Sequence, residues 1–235
     1  MNNISGSTRS LHEFRQTLRR SLTLAELSTF VELGDVKRVD GKPLDLDPND
    51  LVRAAVVLAV SAMDAYFTDR FVEMLIPFLQ QKGASDGLVK LLADARLDTR
   101  QALEMLSMKR PYRRVRSLVE AYLERFTAQR FGAIDSLFWA YGLKDFSKCV
   151  ERTIGRKTIR RSIELLVLRR HQIVHDGDLN SHGKLVPIDG LKMFRRIQDI
   201  QKFVEGAESF LNKIIKLDKP PKPLVEMAIR EALRP

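Results

Sequence analysis

The sequence has almost no cysteine and no long apolar run, and both absences narrow the possibilities. Its 235 residues include one cysteine, Cys149, which excludes an internal disulfide and fits a reducing cytoplasm. The N-terminal segment MNNISGSTRS lacks the apolar core of a secretory signal. The longest uncharged apolar stretch lies between Arg53 and Asp64 and holds ten residues, whereas a membrane-spanning helix needs about 20. We therefore expect a cytoplasmic protein with no membrane partner, and a buried core helix at this stretch.

Basic side chains outnumber acidic ones. The chain has 40 lysines and arginines against 30 aspartates and glutamates, a formal charge of +10. This balance favours polyanionic partners, RNA or DNA before membrane, although it governs association rather than fold. The length suits one domain with appendages. We place an N-terminal helix and connector at residues 1–47, a helical domain at 48–217, and a proline-rich spacer with a C-terminal helix at 218–235.

Apolar residues recur at helical spacing through most of the chain, without an internal repeat or a convincing strand. Asp47 followed by Pro48 is a strong start signal for a long helix, and Pro77 should kink or end that helix. The pattern predicts an all-α fold, an up-and-down helical bundle with additional peripheral helices. The predicted helices cover residues 8–33, 48–81, 86–95, 98–108, 111–129, 144–153, 156–175, 190–216 and 224–234, with an aromatic segment at 134–141 and a loop or short ribbon at 176–189.

The segment RRHQIVH, from Arg169 to His175, places permanent cations and two imidazoles near the end of a predicted helix. At about 100° per residue, Arg170 falls near the middle of the apolar stripe, where its charge needs a partner or a wet cleft. His171 and His175 are four residues apart and share a neighbouring face, and Gly177 should end the helix. Arginine suits phosphate, and histidine can give or take a proton near neutral pH. The combination therefore indicates RNA cleavage without a metal.

The same segment resembles a known family. Arg170, the polar His171 and His175 match the R-x4-6-H signature of the HEPN superfamily, and the run VLRRHQIVHDG resembles its RiboL-PSP-like branch. An upstream run, AAVVLAVSAMDAYFTDR, is similar to the early helix of that branch, with Asp64 where a glutamate is more usual. The resemblance covers roughly residues 50–215.

The resemblance implies a homodimer in which the motif helices of two protomers meet at a shared cleft. It also implies an endoribonuclease that uses no cofactor and leaves a 2′,3′-cyclic phosphate and a 5′-hydroxyl. Arg170 would stabilise the phosphorane, His175 would act as general base or acid, and His171 would position His175, bind phosphate or share the proton transfer. A basic enzyme of this kind resembles a toxin or an antiphage defence effector, restrained by an antitoxin or another regulatory protein.

Several alternatives stay open at the level of sequence. The two histidines could hold a metal with Asp176, Asp178 or His182, but Gln172 stands where the zinc-peptidase pattern requires glutamate, so we predict no metal site. Asp64 either pairs with Arg170 or orients a histidine, or it forms a purely structural ion pair or lies nearer solvent than the apolar pattern implies. For the whole protein, the alternatives are a non-catalytic RNA- or nucleotide-binding module and a structural partner in a toxin–antitoxin-type complex.

Two basic clusters could contact RNA, although charge runs are usually solvated faces. The cluster before the motif helix is the stronger candidate because it shares an element with the motif, and the second cluster includes a tyrosine that could stack on a base. The residues we assign to RNA contact are Arg156, Lys157, Arg160 and Arg161 in the first cluster, and Arg113 and Arg114 in the second.

Overall fold

The computed structural model describes residues 8–30 and 47–215, and over these residues the chain is helical with no strand. The predicted connector, the proline-rich spacer and the C-terminal helix lie outside the described residues. The helices are α1 (Arg9–Phe30), α2 (Pro48–Lys82), α3 (Asp86–Asp94), α4 (Thr99–Leu106), α5 (Pro111–Leu123), α6 (Phe131–Trp139), α7 (Phe146–Ile154), α8 (Ile159–His175) and α9 (Gly190–Ile214). The all-α prediction is confirmed.

Local signals set most helix boundaries where we predicted them. The Asp47 side chain caps α2 by accepting a hydrogen bond from the backbone N–H of Asn49, with Pro48 at the first helical position. The helix continues through Pro77 to Lys82, so this proline does not end it. Helix α5 stops at Leu123, six residues before the predicted end at residue 129, and the non-helical residues that follow reach the candidate site.

Four long helices form an up-and-down bundle. The start of α1 contacts the late part of α2, through Ser10 and Glu73, so these two helices run in opposite directions. Tyr66 of α2 contacts Glu208 of α9, and Arg70, one turn later, contacts Asn212. Because the contacts follow the same order along both helices, α9 runs parallel to α2. Near the end of α8, Arg169 shares the carboxylate of Asp178 with Arg53, which lies near the start of α2. Helix α8 is therefore antiparallel to α2 and α9. The shorter helices α3 to α7 complete the fold.

Helix α2 is the core helix of this bundle. The ring of Phe67, in α2, packs edge-on against Phe138 of α6 and Phe146 of α7, and it is tilted against Phe203 of α9. Among the described residues, α2 is the one helix long and apolar enough to cross a membrane, and 56% of that apolar stretch is buried inside the fold. The apolar stretch therefore serves as the buried core helix that we predicted.

A buried ion pair joins α2 to α9. Arg70 is fully buried, and its Nε lies 2.9 Å from Oε2 of Glu208, as an ion pair rather than an aligned hydrogen bond. Tyr66 donates to Oε2 of Glu208 at 2.8 Å, and Asn212 accepts from Arg70 at 2.6 Å. Burial, followed by the Glu208 charge, raises the pKa of Tyr66 well above its usual range, so this tyrosine stays a neutral donor.

We expect Arg70→Met to lower the free energy of unfolding by about 3–5 kcal/mol, because it strands the buried carboxylate of Glu208 without its cation. Urea unfolding followed by circular dichroism measures the loss. The double variant Arg70→Met/Glu208→Gln should recover part of it, since the stranded charge is gone. Arg20→Ala, on the exposed side of α1, should change stability by less than about 0.5 kcal/mol. If Arg70→Met alone is as stable as the wild type, the proposed role of this ion pair is contradicted.

Candidate functional site

The motif helix α8 is buried on one side only. It ends at His175, and the chain then turns through Gly177 and Asp178, whose φ angles of 61° and 59° are left-handed. The backbone N–H groups of Asp176 and Asp178 both donate to the carbonyl of Gln172. The predicted stop at Gly177 is therefore confirmed. The buried residues of α8 are Ile159, Ile163, Leu166 and Val167.

Asp178 clamps the end of α8 to the start of α2. Asp178 is 1% exposed, and its Oδ2 accepts from Nε of Arg53 at 2.6 Å and from Nη2 of Arg169 at 2.7 Å. Both guanidinium groups also donate to the carbonyl of Val186 at 3.0 Å. Burial alone would lower the pKa of Arg53, but its contacts with Asp178 raise it. Arg169 is thus a structural residue, a role that the sequence analysis did not identify.

Arg170, the next residue, has no such partner. It is half-buried, and its Nε is buried without a hydrogen-bond partner among the described residues. We expected a partner or a wet cleft, and the structure provides the cleft. We suggested that Asp64 pairs with Arg170 or orients a histidine; in this structure its two carboxylate oxygens accept hydrogen bonds from Ala128 and Gln129 instead.

The cleft brings together the three predicted catalytic side chains. Arg170, His171 and His175 all line a space of about 560 Å³, a size within the usual range of ligand sites. The two imidazole rings are exposed, and their centroids lie 4.3 Å apart. None of the described residues that line this space is acidic, so its charge is positive. The remaining lining residues are Thr127, Gln129, Arg130, Ala133, Val167, Leu168 and Val174.

The wall facing α8 comes from the segment between α5 and α6, which the sequence analysis had assigned to a helix. Asp64 of α2 holds this segment: its Oδ1 accepts from the backbone N–H of Ala128 at 2.5 Å, and its Oδ2 accepts from Nε2 of Gln129 at 2.8 Å. Arg130 is exposed and lines the cleft next to Gln129. The acid at position 64 was the only sequence signal for this wall.

The structure separates the predicted RNA-binding residues into two groups. Arg156 forms an ion pair with the buried Asp199, and the guanidinium of Arg160 lies 5.0 Å from the ring centroid of Phe131, so both are engaged within the protein. The other four are exposed, and none of them has an ion-pair partner among the described residues. They are Lys157 and Arg161, near the start of α8, and Arg113 and Arg114, near the start of α5.

The described residues contain no group of three His, Cys, Asp or Glu side chains that could hold a metal ion. Of the residues we considered as a third ligand, Asp178 is occupied by its arginines, while Asp176 and His182 are exposed. A second cavity, about 630 Å³, lies beside Trp139 and is lined by three carboxylates, of which Asp135 and Asp145 have donors of their own. Two lysines, Lys90 and Lys144, also line it, so this cavity lacks the positive charge of the cleft at the motif.

The fold and the cleft define an all-helical protein with a positively charged, histidine-containing site at the end of one long helix. The chain matches the RiboL-PSP-HEPN family over residues 23–217 and belongs to that family, within the HEPN superfamily. No curated protein and no solved structure gives a significant match. Because HEPN domains are often ribonucleases, membership supports an RNA-related function and a broad assignment as an enzyme.

The two adjacent arginines of the motif should respond oppositely to substitution. Arg169→Met should lower the free energy of unfolding by about 1.5–3 kcal/mol, the loss expected for hydrogen bonds to a charged group, while Arg53 still neutralises Asp178. Arg170→Met should leave stability unchanged or raise it, because it removes a half-buried guanidinium with an unsatisfied Nε. Urea unfolding of both variants measures the difference. Equal losses in the two variants would contradict the clamp.

Proposed function

We propose that this protein is a metal-independent endoribonuclease. The observation that carries the proposal is the convergence of Arg170, His171 and His175 on one cleft whose described lining holds no carboxylate. A phosphodiester needs a cation for its developing charge and groups that move protons at the 2′ and 5′ oxygens. The cleft offers both kinds of group. None of the described residues that line it is acidic, so the lining does not repel RNA.

The proposed reaction is attack by the neighbouring 2′-hydroxyl on phosphorus. The 2′-oxygen forms a bond to phosphorus as a base takes its proton, and the bond from phosphorus to the 5′-oxygen breaks as an acid protonates that oxygen. His175 acts as that base or that acid, and Arg170 stabilises the charge of the phosphorane. The products are a 2′,3′-cyclic phosphate and a 5′-hydroxyl, so no water enters this step.

His171 has the geometry of a second functional group. Its ring is 4.3 Å from that of His175, centroid to centroid, and both rings are exposed. At that distance His171 can position His175, bind the phosphate or take part in the proton transfer. We assign it to the site in one of these three roles.

We further propose that the enzyme works as a homodimer. Leu168 and Val174 are 51% and 45% exposed, and they line the cleft on the same helix as the two histidines. Exposed apolar side chains beside a polar site often mark an interface. A twofold contact at this face would bring the motif helices of two protomers to one shared cleft.

The biological role we propose is that of a toxin or antiphage defence effector in the cytoplasm. Membership of the RiboL-PSP-HEPN family and the formal charge of +10 support action on RNA. An unrestrained ribonuclease would damage its own cell, so the proposal includes an antitoxin or another regulatory protein as a partner.

We expect His175→Ala to lower the rate of RNA cleavage by about 10²–10⁴-fold, the usual contribution of a general acid or base. Purified protein is incubated with RNA in the presence of EDTA, and the ends are mapped for a 2′,3′-cyclic phosphate. Arg170→Met should lower the rate by about 10²–10³-fold, because the charge on phosphorus loses its cation.

The matched control for this experiment is His12→Ala, which removes an exposed histidine of α1 and should leave the rate unchanged. Loss of wild-type cleavage on adding a chelator would contradict the metal-free mechanism. RNA that is bound but not cut by the wild type would instead identify a non-catalytic binding module.

We expect Leu168→Asp to convert a dimeric protein to monomers, because it puts a charge into the proposed apolar contact. Light scattering coupled to size-exclusion chromatography measures the mass. The control is Val89→Asp, which changes a side chain of similar exposure, 54%, on α3 and should leave the mass unchanged. A monomeric wild type, or a variant that stays dimeric, would contradict the proposed interface.

A further inference from the structure

The wall of the cleft opposite the motif helix has a polar side chain whose orientation is fixed. Gln129 lines the cleft, and its Nε2 donates to Oδ2 of Asp64 at 2.8 Å. The other oxygen of Asp64 accepts from the backbone N–H of Ala128. Asp64 thus contacts both the backbone and the side chain of this segment, and it holds Gln129 in the lining of the cleft that Arg170 and His175 also line.

The carboxylate determines which way the amide of Gln129 faces. An ionised aspartate only accepts hydrogen bonds, so the NH₂ group of the amide must face it. One N–H and the carbonyl oxygen Oε1 of Gln129 then remain, and neither has a hydrogen-bond partner among the described residues. A carboxamide held in this way presents a donor and an acceptor side by side, which is the pattern that pairs with the edge of a nucleobase.

Arg130 adds a cation next to this amide. It is exposed, it lines the same cleft, and it forms no ion pair among the described residues. Arg130 and Arg170 thus come to the same cleft from two different parts of the chain, the segment before α6 and helix α8. A second cation can hold a neighbouring phosphate of the strand, and such phosphate contacts fix the register of a strand without reading its sequence.

We propose that Gln129 recognises the edge of one nucleobase beside the scissile phosphate, and that Asp64 is a positioning residue that sets its donor–acceptor pattern. This inference rests on the proposed ribonuclease function, and it names the substrate as single-stranded RNA, because a base edge is free for such contact only when it is unpaired. The enzyme would then cut with a base preference at one position next to the cleavage site. Arg130 binds the adjacent phosphate and contributes affinity without base preference.

The first test is to map cleavage sites on single-stranded RNA of randomised sequence. The wild type should prefer one or two bases at a fixed position by on the order of tenfold. Gln129→Met keeps the size of the side chain but removes its donor and its acceptor. The base preference should therefore fall below about twofold, while cleavage continues. The control Gln16→Ala, an exposed amide on α1, should keep the wild-type preference.

Asp64→Asn tests the positioning role separately. The carbonyl of the new amide must face the N–H of Ala128, so its NH₂ faces Gln129 and the Gln129 amide turns over. The cleft then receives two donors and no acceptor, and the preferred base should change rather than disappear. A residue that only braced the segment would reduce stability or rate and leave the preference as it was. Thermal unfolding of each variant separates these effects.

The outcomes distinguish this inference from the function on which it rests. Cleavage by the wild type with no base preference, or with a preference that survives Gln129→Met, overturns the inference and leaves the ribonuclease standing. If the wild type does not cleave, binding of the four homopolymeric oligoribonucleotides to His175→Ala is measured by fluorescence anisotropy. Equal affinities for all four then overturn the inference, and affinities that differ and become equal on adding Gln129→Met support it.

Discussion

The candidate site depends on one buried carboxylate. Asp178 joins Arg53, at the start of the core helix, to Arg169, near the end of the motif helix. This contact sets the rotation of α8 about its own axis, because a helix that presents Arg169 to Asp178 must present Arg170 about 100° away. That rotation places Arg170 and the two histidines along one cleft. An arrangement that separated Asp178 from its arginines would leave an uncompensated buried charge, which is strongly destabilising.

The cleft gains its charge because the structure uses nearby carboxylates elsewhere. The chain has 30 acidic residues, and two of those next to lining residues of the cleft hold other groups: Asp178 holds two arginines, and Asp64 holds the wall at Ala128 and Gln129. Arg170 is left with an unsatisfied Nε, which costs stability in the free protein. A phosphate in the cleft would pair with the charge of Arg170, which forms no ion pair with any described residue.

The sequence predicted what depends on local signals. Helical periodicity, the cap at Asp47 and the stop at Gly177 determine the all-α fold and the end of the motif helix, and the spacing of Arg170, His171 and His175 places them together. Contacts between distant residues could not be predicted in this way. Helical phase distinguishes Arg170 from Arg169, but no local signal shows that Arg169 pairs with Asp178. Only the fold brings Asp178 and Arg53 to Arg169.

The end of α5 illustrates why the opposite wall was missed. Residues 111–129 have a helical pattern, but the chain leaves the helix after Leu123, and Asp64 supplies an acceptor to the backbone N–H of Ala128 outside it. A carboxylate 64 residues away in the chain thus replaces a helical hydrogen bond. Such a contact is invisible to local periodicity, although it decides which residues face the motif. An acid within an apolar helix therefore indicates that a partner exists but not which partner it is.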